Sequence, residues 1–382
     1  MTEQNSTPKV SVILTSYNHE KFVTQAIESV LNQTFGNYEL IIADDCSRDG
    51  SWDIINAYTD SRIRLFRSDK TERGLINKVL KSGMVRGEYV AIHHSDDVWA
   101  HHKLEKQVSL LDSAPDVSAV FTKASIIDER GIVYGMDDEN PTARAYTRVF
   151  DKSDRSRHEW LNYFFHHGNC LCHPSLMIRK ECYDELGFYN MSYLQTADYE
   201  YWTRLCMKKE IRILPEPLVS FRVLEGGQNT SAQTPEKIIR ERFEYYRILG
   251  NFLRIDDAVE ILTIFPETQQ YLRGNDPVAK YLLARAAIDS GTREAKLFGL
   301  EILATLMADE QQAENCLGNH HFALSDYFAL TGSSDVFSSC VECSGSSNTG
   351  VPSACRVEPR IFSDLRWWLN NWRTRLRQVI GR

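Results

Sequence analysis

Short apolar runs alternate with amphipathic stretches in the first part of the chain. Four mostly apolar runs lie at positions 10–15, 40–43, 63–66 and 89–92. Between them, apolar side chains recur every three or four residues at positions 22–31, 52–58 and 75–80. The runs are typical of buried strands, and the recurrences are typical of amphipathic helices. Their alternation predicts an α/β fold with a mainly parallel, Rossmann-like sheet flanked by helices.

Two of the predicted strands end in a pair of carboxylates. Asp44 and Asp45 follow the second strand, and Asp96 and Asp97 follow the fourth. In open α/β sheets, ligands bind just outside the carboxyl ends of the strands. Adjacent carboxylates repel each other unless a cation or hydrogen-bond donors lie between them, and Mg²⁺ or Mn²⁺ with a diphosphate is such a cation. The pattern indicates a metal–diphosphate site at Asp96 and Asp97, with a solvated acidic turn as the alternative.

Composition narrows the functional classes. The 382 residues suffice for two domains, and the formal net charge of −8 argues against a nucleic-acid-binding protein of the basic-patch kind. No apolar run approaches the roughly 18 residues of a membrane-spanning helix, and the first residues do not resemble a signal peptide. Nine scattered cysteines are more typical of a reduced protein than of a disulfide framework. We therefore expect a cytoplasmic protein.

Four segments resemble, in order and spacing, those of the family 2 inverting glycosyltransferases, which have the GT-A fold. They are the opening strand and turn at 10–18, a helix at 26–35, a strand and acidic turn at 41–50, and the motif Ser95-Asp96-Asp97. The resemblance covers about residues 8–231 and departs at Cys46, where many members have Gly or Asn. It implies an enzyme that transfers a sugar from a nucleotide-diphospho-sugar donor to an acceptor hydroxyl.

The resemblance assigns the nucleotide base to the first two strand ends. Asp45 would pair with ring N–H donors of the base, because a carboxylate is a pure hydrogen-bond acceptor. Thr15 and Tyr17 would line the base pocket. The structural alternatives are that Tyr17 is a core residue and that Asp44 is only a helix cap or turn residue.

The resemblance also assigns the diphosphate and the metal. Arg73 would lie near the diphosphate, with a solvated charge at a helix start as the alternative. Asp96 would contact the ribose or the metal shell, and Asp97 would bind Mn²⁺ or Mg²⁺. The metal would neutralise charge that develops on the leaving diphosphate.

The acceptor side is assigned in the same way. Asp198, at a predicted helix start, would be the general base that takes the proton of the acceptor hydroxyl, with a helix cap as the alternative reading and Glu200 as a substitute base. Inversion takes one in-line displacement, so one base works opposite one leaving group. Residues 166–179 resemble the strand that lines the acceptor site, with His173 and Ser175 facing the cleft. Their His and Cys spacing matches no standard zinc pattern.

Two further features of the middle of the chain affect the picture. Residues 135–158 are polar and lack periodicity, which predicts a long variable loop of the kind that often covers a binding site. Arg222 is kept where family members often have Arg-x-His, but no histidine follows it. A further metal or phosphate contact from this loop is therefore not expected, unless Glu225 supplies it.

Helical periodicity dominates from Pro235 onward. The stretches 277–290 and 292–307 predict an antiparallel helix pair broken at Gly291. We expect three parts: a GT-A catalytic domain at 1–234, a small helical accessory domain at 235–340, and a linker with a terminal helix at 341–382.

Two C-terminal features leave alternatives open. Some cysteines near a Cys-x-x-Cys motif could bind zinc, although a matching second pair is missing; they are Cys316, Cys340, Cys343 and Cys355. Between Ile361 and Ile380, tryptophans and aliphatic residues form a helical stripe with arginines largely off it. This pattern is typical of a helix that lies on an anionic membrane surface, which would make the protein peripheral on the inner face of the cytoplasmic membrane. Docking on the same chain, or on a second subunit of a homodimer, is the alternative.

The leading hypothesis is a metal-dependent inverting glycosyltransferase that acts on a glycan or lipid-linked acceptor in surface polysaccharide biosynthesis. A non-catalytic nucleotide-sugar-binding or assembly protein on the same fold is the alternative, and it would be expected to lack Asp97 or Asp198. A nucleotidyltransferase is disfavoured, because the turn at residues 16–20 has no glycine. No nucleic-acid partner is expected.

Overall fold

The computed structural model describes residues 7–337 except 72, 136–139, 225–228 and 230–233. These residues form an eight-stranded sheet with apolar clusters on both faces, followed by a helical region. The strands are β1 Val10–Ser16, β2 Tyr38–Asp44, β3 Ile63–Arg67, β4 Tyr89–His94, β5 Val98–Trp99, β6 Val117–Ile127, β7 Met177–Arg179 and β8 Glu210–Arg222. The helices are α1 Val23–Leu31, α2 Ser51–Asn56, α3 Leu75–Lys81, α4 Lys103–Ser113, α5 Pro141–Phe150, α6 Arg157–His167, α7 Glu181–Leu186, α8 Ala197–Cys206, α9 Pro235–Leu249, α10 Ala258–Ile264, α11 Ala279–Asp289, α12 Arg293–Ala308, α13 Glu310–His320 and α14 Leu324–Ser333.

The four strands predicted from the apolar runs are confirmed, and they form a parallel half-sheet in the order β3-β2-β1-β4. Ile13, Ile41 and Ile92 belong to the apolar cluster on one face, and Leu14 and Ile42 belong to the cluster on the other. Burial on both faces explains why β1, β2 and β4 are mostly apolar, whereas the edge strand β3 is only half-buried and contains Arg64. Because β1 pairs with β2 on one side and β4 on the other, its end is the switch point of the sheet. The two acidic turns lie on either side of that point.

The second half of the sheet is mixed, so the whole sheet is less parallel than predicted. β7 lies antiparallel to both β4 and β6, β8 runs parallel to β6, and β5 pairs antiparallel with β8. This order brings the end of β8 next to the turn after β4. The backbone N–H of Arg222 there donates to the Asp97 carboxylate at 2.8 Å.

The prediction of a long loop at 135–158 is wrong for half of that segment, which contains α5 and the beginning of α6. The Asn140 side chain accepts hydrogen bonds from N–H groups in the first turn of α5. Ser156 and Glu159 form a capping box at the start of α6. Such caps satisfy N–H groups that a helix start leaves without partners. These local caps, which the polar composition obscured, decide the structure here.

The predicted helix pair is confirmed as α11 and α12, which contact each other on either side of a turn at Gly291. Gly291 has a φ of +86°, a conformation that favours glycine. The helical region also packs on the part that carries the sheet. The Phe165 ring of α6 lies 4.9 Å from that of Phe252 and 4.7 Å from that of Phe265, measured between ring centroids. A domain boundary at residue 234 stays a prediction.

The candidate zinc and membrane segments lie mostly outside the described residues. This applies to the stretch between Ile361 and Ile380 and to three cysteines: Cys340, Cys343 and Cys355. Cys316 is buried in α13, and burial raises the pKa of its thiol to about 11. In the part of the chain that the structure describes, no helix is both long and apolar enough to cross a membrane.

Candidate active site

A group of side chains with metal-binding chemistry lies where β4 ends. His94 is the last residue of β4, and Asp96 and Asp97 follow in the next turn. One ligand atom from each of the three lies within 4.8 Å of the others. The Nδ1 atom of His94 is 3.8 Å from Oδ2 of Asp97. The structure thus places the two predicted carboxylates together and adds His94 to them.

The two oxygens of Asp97 have different surroundings. The residue is only 1 % exposed, and its Oδ1 accepts the hydrogen bond from the backbone of Arg222. Its Oδ2 has no hydrogen-bond partner among the residues that the structure describes. Burial raises the pKa of Asp97 well above its ordinary range, and the charge of Asp96 raises it further. A divalent cation at this carboxylate would offset both effects, so the residues present fit Mn²⁺ or Mg²⁺.

Arg222 holds the acidic turn mainly through backbone acceptors. Its guanidinium donates to the carbonyl oxygens of Asp96 at 2.7 Å and Asp128 at 2.8 Å. It also donates to the side chain of Gln25 at 2.6 Å. Its positive charge opposes the rise in the pKa of Asp97 without a side-chain hydrogen bond to that carboxylate. Arg222 therefore positions the turn and leaves one oxygen of Asp97 for another partner.

Two further histidines border the acidic turn. The ring centroid of His173 lies 5.2 Å from that of His94, and burial lowers the pKa of both side chains. His19 Nδ1 lies 2.8 Å from the Ser95 hydroxyl oxygen and 4.0 Å from an oxygen of Asp96. A neutral imidazole offers a nitrogen lone pair to a metal or a proton. Sequence reasoning missed His19 and His94, although His94 directly precedes the Ser-Asp-Asp motif.

The turn after β2 separates its two carboxylates. Asp44 is fully buried and accepts hydrogen bonds from the hydroxyl of Ser47 at 2.5 Å and from its backbone N–H at 2.9 Å. It is therefore the turn residue. Asp45 is half-buried beside the end of β1, where its N–H donates to the Ser16 carbonyl at 2.9 Å. Burial raises the pKa of Asp45, and the charge of Lys78 opposes this rise.

The other residues predicted to contact the nucleotide-sugar donor are exposed or half-buried. Thr15 is half-buried at the end of β1, with its hydroxyl 3.5 Å from the carbonyl oxygen of His93. Tyr17 is 41 % exposed, so the alternative that it is a core residue is wrong. Arg73 is exposed just before α3. Contacts of these side chains with a donor stay predictions.

The predicted base lies in the first turn of α8. One oxygen of Asp198 accepts a hydrogen bond from the side-chain amide of Asn169 at 3.0 Å, and the other accepts one from the Tyr199 N–H at 2.7 Å. Burial raises the pKa of Asp198 to about 6. A carboxylate with this pKa is ionised at neutral pH and is a stronger base than an ordinary aspartate. Asn169 is a further residue that sequence reasoning missed, although it lies in the segment assigned to the acceptor site.

The prediction that Ser175 faces the cleft is wrong. Its side chain is fully buried, and its hydroxyl donates to the carbonyl of Cys172 at 2.7 Å. Within the segment 166–179, a strand forms only at Met177–Arg179, and Ser175 lies in a short 3₁₀ turn before it that directs its side chain into the interior. His173 is half-buried, and its Nε2 lies 3.0 Å from the Tyr189 hydroxyl.

Glu200 is also occupied by a structural interaction. It is 3 % exposed, and its carboxylate pairs with Arg204 one helical turn later, with Nε 2.7 Å from Oε1. A second bond, from the other guanidinium nitrogen of Arg204 to Oε2 at 3.0 Å, engages both oxygens of the carboxylate. The structure therefore disfavours Glu200 as the substitute base and leaves Asp198 as the better candidate.

A buried glutamate from the helical region holds the chain just before Asp198. Glu244 of α9 is 2 % exposed. Its carboxylate accepts backbone hydrogen bonds from Leu194 at 2.6 Å, Gln195 at 2.9 Å and Thr196 at 2.9 Å. The Thr196 hydroxyl adds another at 2.8 Å. These donors compensate the buried charge, and they tie the entry of α8 to the helical region.

The mixed sheet, the acidic turn at its switch point and the separate carboxylate of α8 agree with the resemblance found in the sequence. Residues 11–186 match the family described as Glycosyl transferase family 2. This segment, a little under half of the chain, is similar to that family, and the described residues have the GT-A fold.

Relatives of known sequence and structure point the same way. A glycosyltransferase of Haemophilus influenzae, described as uncharacterized, is 27 % identical over 277 residues, which cover 68 % of this chain and 80 % of that protein. The UDP-Glc:alpha-D-GlcNAc-diphosphoundecaprenol beta-1,3-glucosyltransferase WfaP of Escherichia coli is 29 % identical over 238 residues, covering 61 % and 83 %. A crystal structure of S. aureus TarS 1-349 in complex with UDP-GlcNAc has a TM-score of 0.50 and 18 % identity, covering 80 % and 83 %. The structural match supports the fold.

Proposed function

We propose that this chain is a metal-dependent, inverting glycosyltransferase that transfers a sugar from a nucleotide-diphospho-sugar to a hydroxyl of a glycan or lipid-linked acceptor. The observation that carries the proposal is the presence of two carboxylates, Asp97 and Asp198, in different surroundings. Asp97 has one oxygen fixed by a backbone N–H and one without a partner among the described residues. Asp198 has both oxygens hydrogen-bonded and a pKa raised to about 6.

The first centre suits the donor. His94, Asp96 and Asp97 would hold Mn²⁺ or Mg²⁺, which would supply positive charge against the diphosphate leaving group. Asp45 would pair with N–H donors of the nucleotide base, beside Thr15. The place of these residues at the switch point of the sheet, where ligands of open α/β folds bind, supports this assignment.

The second centre suits the acceptor. Asp198 takes the proton from the acceptor hydroxyl as that oxygen attacks the anomeric carbon of the donor sugar. Asn169 holds one oxygen of Asp198 and so orients its carboxylate. A single base acting on the acceptor, with no covalent intermediate on the enzyme, leads to inversion at the anomeric carbon. This differs from a hydrolase, in which a pair of carboxylates flanks the bond that breaks.

We further propose that the acceptor belongs to surface polysaccharide synthesis and that the protein works at the inner face of the cytoplasmic membrane. The name of the E. coli relative specifies a sugar on a diphosphoundecaprenol carrier, which supports a lipid-linked acceptor of this class. The predicted basic amphipathic helix between Ile361 and Ile380 would bring the enzyme to such a carrier.

A donor screen by thermal shift tests the proposal. UDP-, GDP- and dTDP-sugars are each added with Mn²⁺, with Mg²⁺ or with chelator, since binding to the folded state raises the melting temperature. We expect one nucleotide to raise it only with metal, and we expect that shift to be lost in Asp97→Ala. A folded protein that responds to no nucleotide would contradict a working donor site and favour the non-catalytic alternative.

Inversion is tested on the product. Once a donor and an acceptor are found, the anomeric coupling constant of the new linkage is measured by proton NMR and compared with that of the donor. We expect the opposite anomeric configuration in the product. Retention of configuration would contradict the assignment of Asp198 as a base in a single displacement.

A further inference from the structure

Three basic side chains surround the ring of Tyr163 in α6. The guanidinium of Arg155 lies 4.9 Å from the ring centroid, and the ammonium of Lys152 lies 5.9 Å from it. The imidazole of His167, at the end of α6, lies with its centroid 4.8 Å from that of Tyr163. We call Lys152, Arg155 and His167 the Tyr163 cluster.

The carboxylates nearest in sequence are engaged with other groups. Asp151 lies 2.5 Å from the ammonium of Lys123, and Asp154 lies 3.5 Å from Nε of Arg212. Glu159 accepts hydrogen bonds from Ser156 in the capping box of α6. Within the described part of the chain, no member of the Tyr163 cluster has a carboxylate within ion-pair distance. Hydrogen bonds from Ser156 lower the pKa of Glu159 and the charge of Arg155 lowers it further, but neither Arg155 nor Lys152 forms a direct ion pair with a described carboxylate. A bound anion would supply that direct counter-charge.

The electrostatics of His167 agree with this geometry. Burial lowers its pKa first, and the charges of His166, Lys152 and Arg155 lower it further. His166 itself has an acidic partner, because its Nε2 lies 2.9 Å from Glu267. An anion close to His167 would have the opposite effect and favour its protonated form.

The cluster lies close to the proposed base along the chain. His167 is followed by Gly168, with a φ of +78°, and then by Asn169, which donates to Asp198. An anionic group bound at His167 would therefore be near the hydroxyl from which Asp198 takes a proton. The donor diphosphate is assigned to a different place, the turn after β4. This adjacency relates the cluster to the acceptor side of the proposed site.

We propose that the Tyr163 cluster binds the diphosphate that joins the acceptor sugar to its carrier. This inference rests on the proposed function, because it takes Asp198 as the base that faces the acceptor. A diphosphate carries several negative charges and many acceptor oxygens. Arginine recognises such groups with two parallel hydrogen bonds, and lysine and protonated histidine add charge. Arg155 is already held between aromatic rings, since its guanidinium also lies 4.9 Å from the ring centroid of Trp160.

The test is a calorimetric titration of the full chain with inorganic diphosphate and with decyl diphosphate, both in chelator so that no metal–diphosphate complex forms at Asp97. We expect both probes to bind the wild type. Arg155→Gln should weaken both by about tenfold, as expected for loss of a charged hydrogen bond, and Lys152→Gln should weaken them by roughly threefold. Lys208→Gln, the same charge change at an exposed lysine of another surface segment, should leave binding unchanged.

One further variant and a check of folding make the outcome unambiguous. Arg155→Lys keeps the charge and removes the fork, so it should lose less affinity than Arg155→Gln, and melting temperatures of all variants check that they fold. Absence of diphosphate binding below about 1 mM, or equal binding by the wild type and both cluster variants, contradicts the inference. Binding of inorganic diphosphate with exclusion of decyl diphosphate contradicts a carrier-linked ligand, whereas binding of both supports it.

The same samples separate this inference from the proposed function. Metal-dependent binding of the nucleotide sugar is measured by thermal shift in each variant, and we expect it to be unchanged in Arg155→Gln. Loss of donor binding already in the wild type contradicts the proposed function, while the diphosphate titration decides the role of the Tyr163 cluster.

Discussion

The surroundings of Asp97 and Asp198 differ in a way that suits the two tasks we propose for these carboxylates. Burial raises the pKa of both. At Asp97, a backbone N–H holds one oxygen and the other has no partner among the described residues, so an incompletely compensated charge faces His94. At Asp198, an amide side chain and a backbone N–H hold both oxygens. The first arrangement favours a cation, and the second favours a well-oriented base.

The two carboxylates also depend on different parts of the chain. Asp97 follows a strand of the parallel half-sheet and is fixed by β8, which arrives from the mixed half. Asp198 begins a helix whose entry is held by Glu244 of the helical region. A substitution that disturbs the helical region should therefore displace Asp198, the proposed base, more than it displaces the proposed donor site.

The largest expected effect comes from removing the base. Asp198→Asn keeps the shape of the side chain and can no longer accept the proton, so we expect kcat to fall about a thousandfold. Donor binding should remain, because Asp198 lies outside the metal group. Steady-state kinetics with the identified donor and acceptor measure this change. Asp184→Asn, at an exposed carboxylate of α7, is the matched control and should keep its activity.

Replacing Asp97, the proposed metal ligand, should lower the rate less than Asp198→Asn does and should weaken donor binding more. Asp97→Asn should lower kcat/KM by roughly a hundredfold, because charge on the leaving diphosphate is stabilised less. The same change removes a buried charge. Without metal, the free energy of unfolding of the variant should therefore exceed that of the wild type by about 1 kcal/mol. Urea titrations in chelator measure this gain. A loss of stability instead would show that the Asp97 charge is already compensated without metal.

The pH dependence distinguishes the two carboxylates without mutation. With its pKa raised to about 6, Asp198 is ionised at pH 7 and mostly protonated at pH 5. We therefore expect kcat/KM to fall about tenfold between these values as the base is lost. The fall should disappear from the residual activity of Asp198→Asn.

The same raised pKa has the opposite effect on stability. The folded protein holds this proton more tightly than the unfolded chain does, in which the pKa is near 3.8. The contribution of Asp198 to the free energy of unfolding therefore falls as the pH rises from about 4 to about 6. Comparing the urea midpoints of the wild type and Asp198→Asn across this range isolates the contribution.

The smallest expected kinetic effect is that of Glu244. Glu244→Gln replaces one acceptor oxygen by a donor amide against backbone N–H groups, so we expect a loss of about 2 kcal/mol in the free energy of unfolding. The shifted entry of α8 should lower kcat by about fivefold, while the KM for the donor stays constant. Glu236→Gln on the exposed side of the same helix is the control. A rise in donor KM with unchanged kcat would contradict the link between Glu244 and the base.

The spacing of apolar residues predicts a strand or a helix well where the buried side chains of that element are nearly all apolar. The strands β1, β2 and β4 are mostly apolar because helices cover both faces of the sheet. The pair α11 and α12 has a regular apolar spacing. The helix α5 was not predicted, because its charged and polar residues obscure an apolar side, formed by Ala143, Tyr146 and Phe150, that packs against Phe221 of β8. The mixed half of the sheet depends on strand order, which no local pattern encodes.

The site shows the same limit. Asp96 and Asp97 stand out in the sequence because two carboxylates directly follow an apolar run. Asn169 and Glu244 do not stand out, since their contacts with Asp198 and with the entry of α8 join segments that are distant in sequence. Ser175 was misplaced because a strand was expected where the chain makes a 3₁₀ turn.

The most direct test of the two-carboxylate account is metal-dependent donor binding by Asp97→Asn and Asp198→Asn, measured side by side. The melting temperature is recorded with the identified nucleotide sugar, with Mn²⁺ and with chelator. The account predicts that Asp97→Asn loses the metal-dependent shift and that Asp198→Asn keeps the full wild-type shift. An equal response of the two variants, whether both keep the shift or both lose it, would contradict the division of tasks between them.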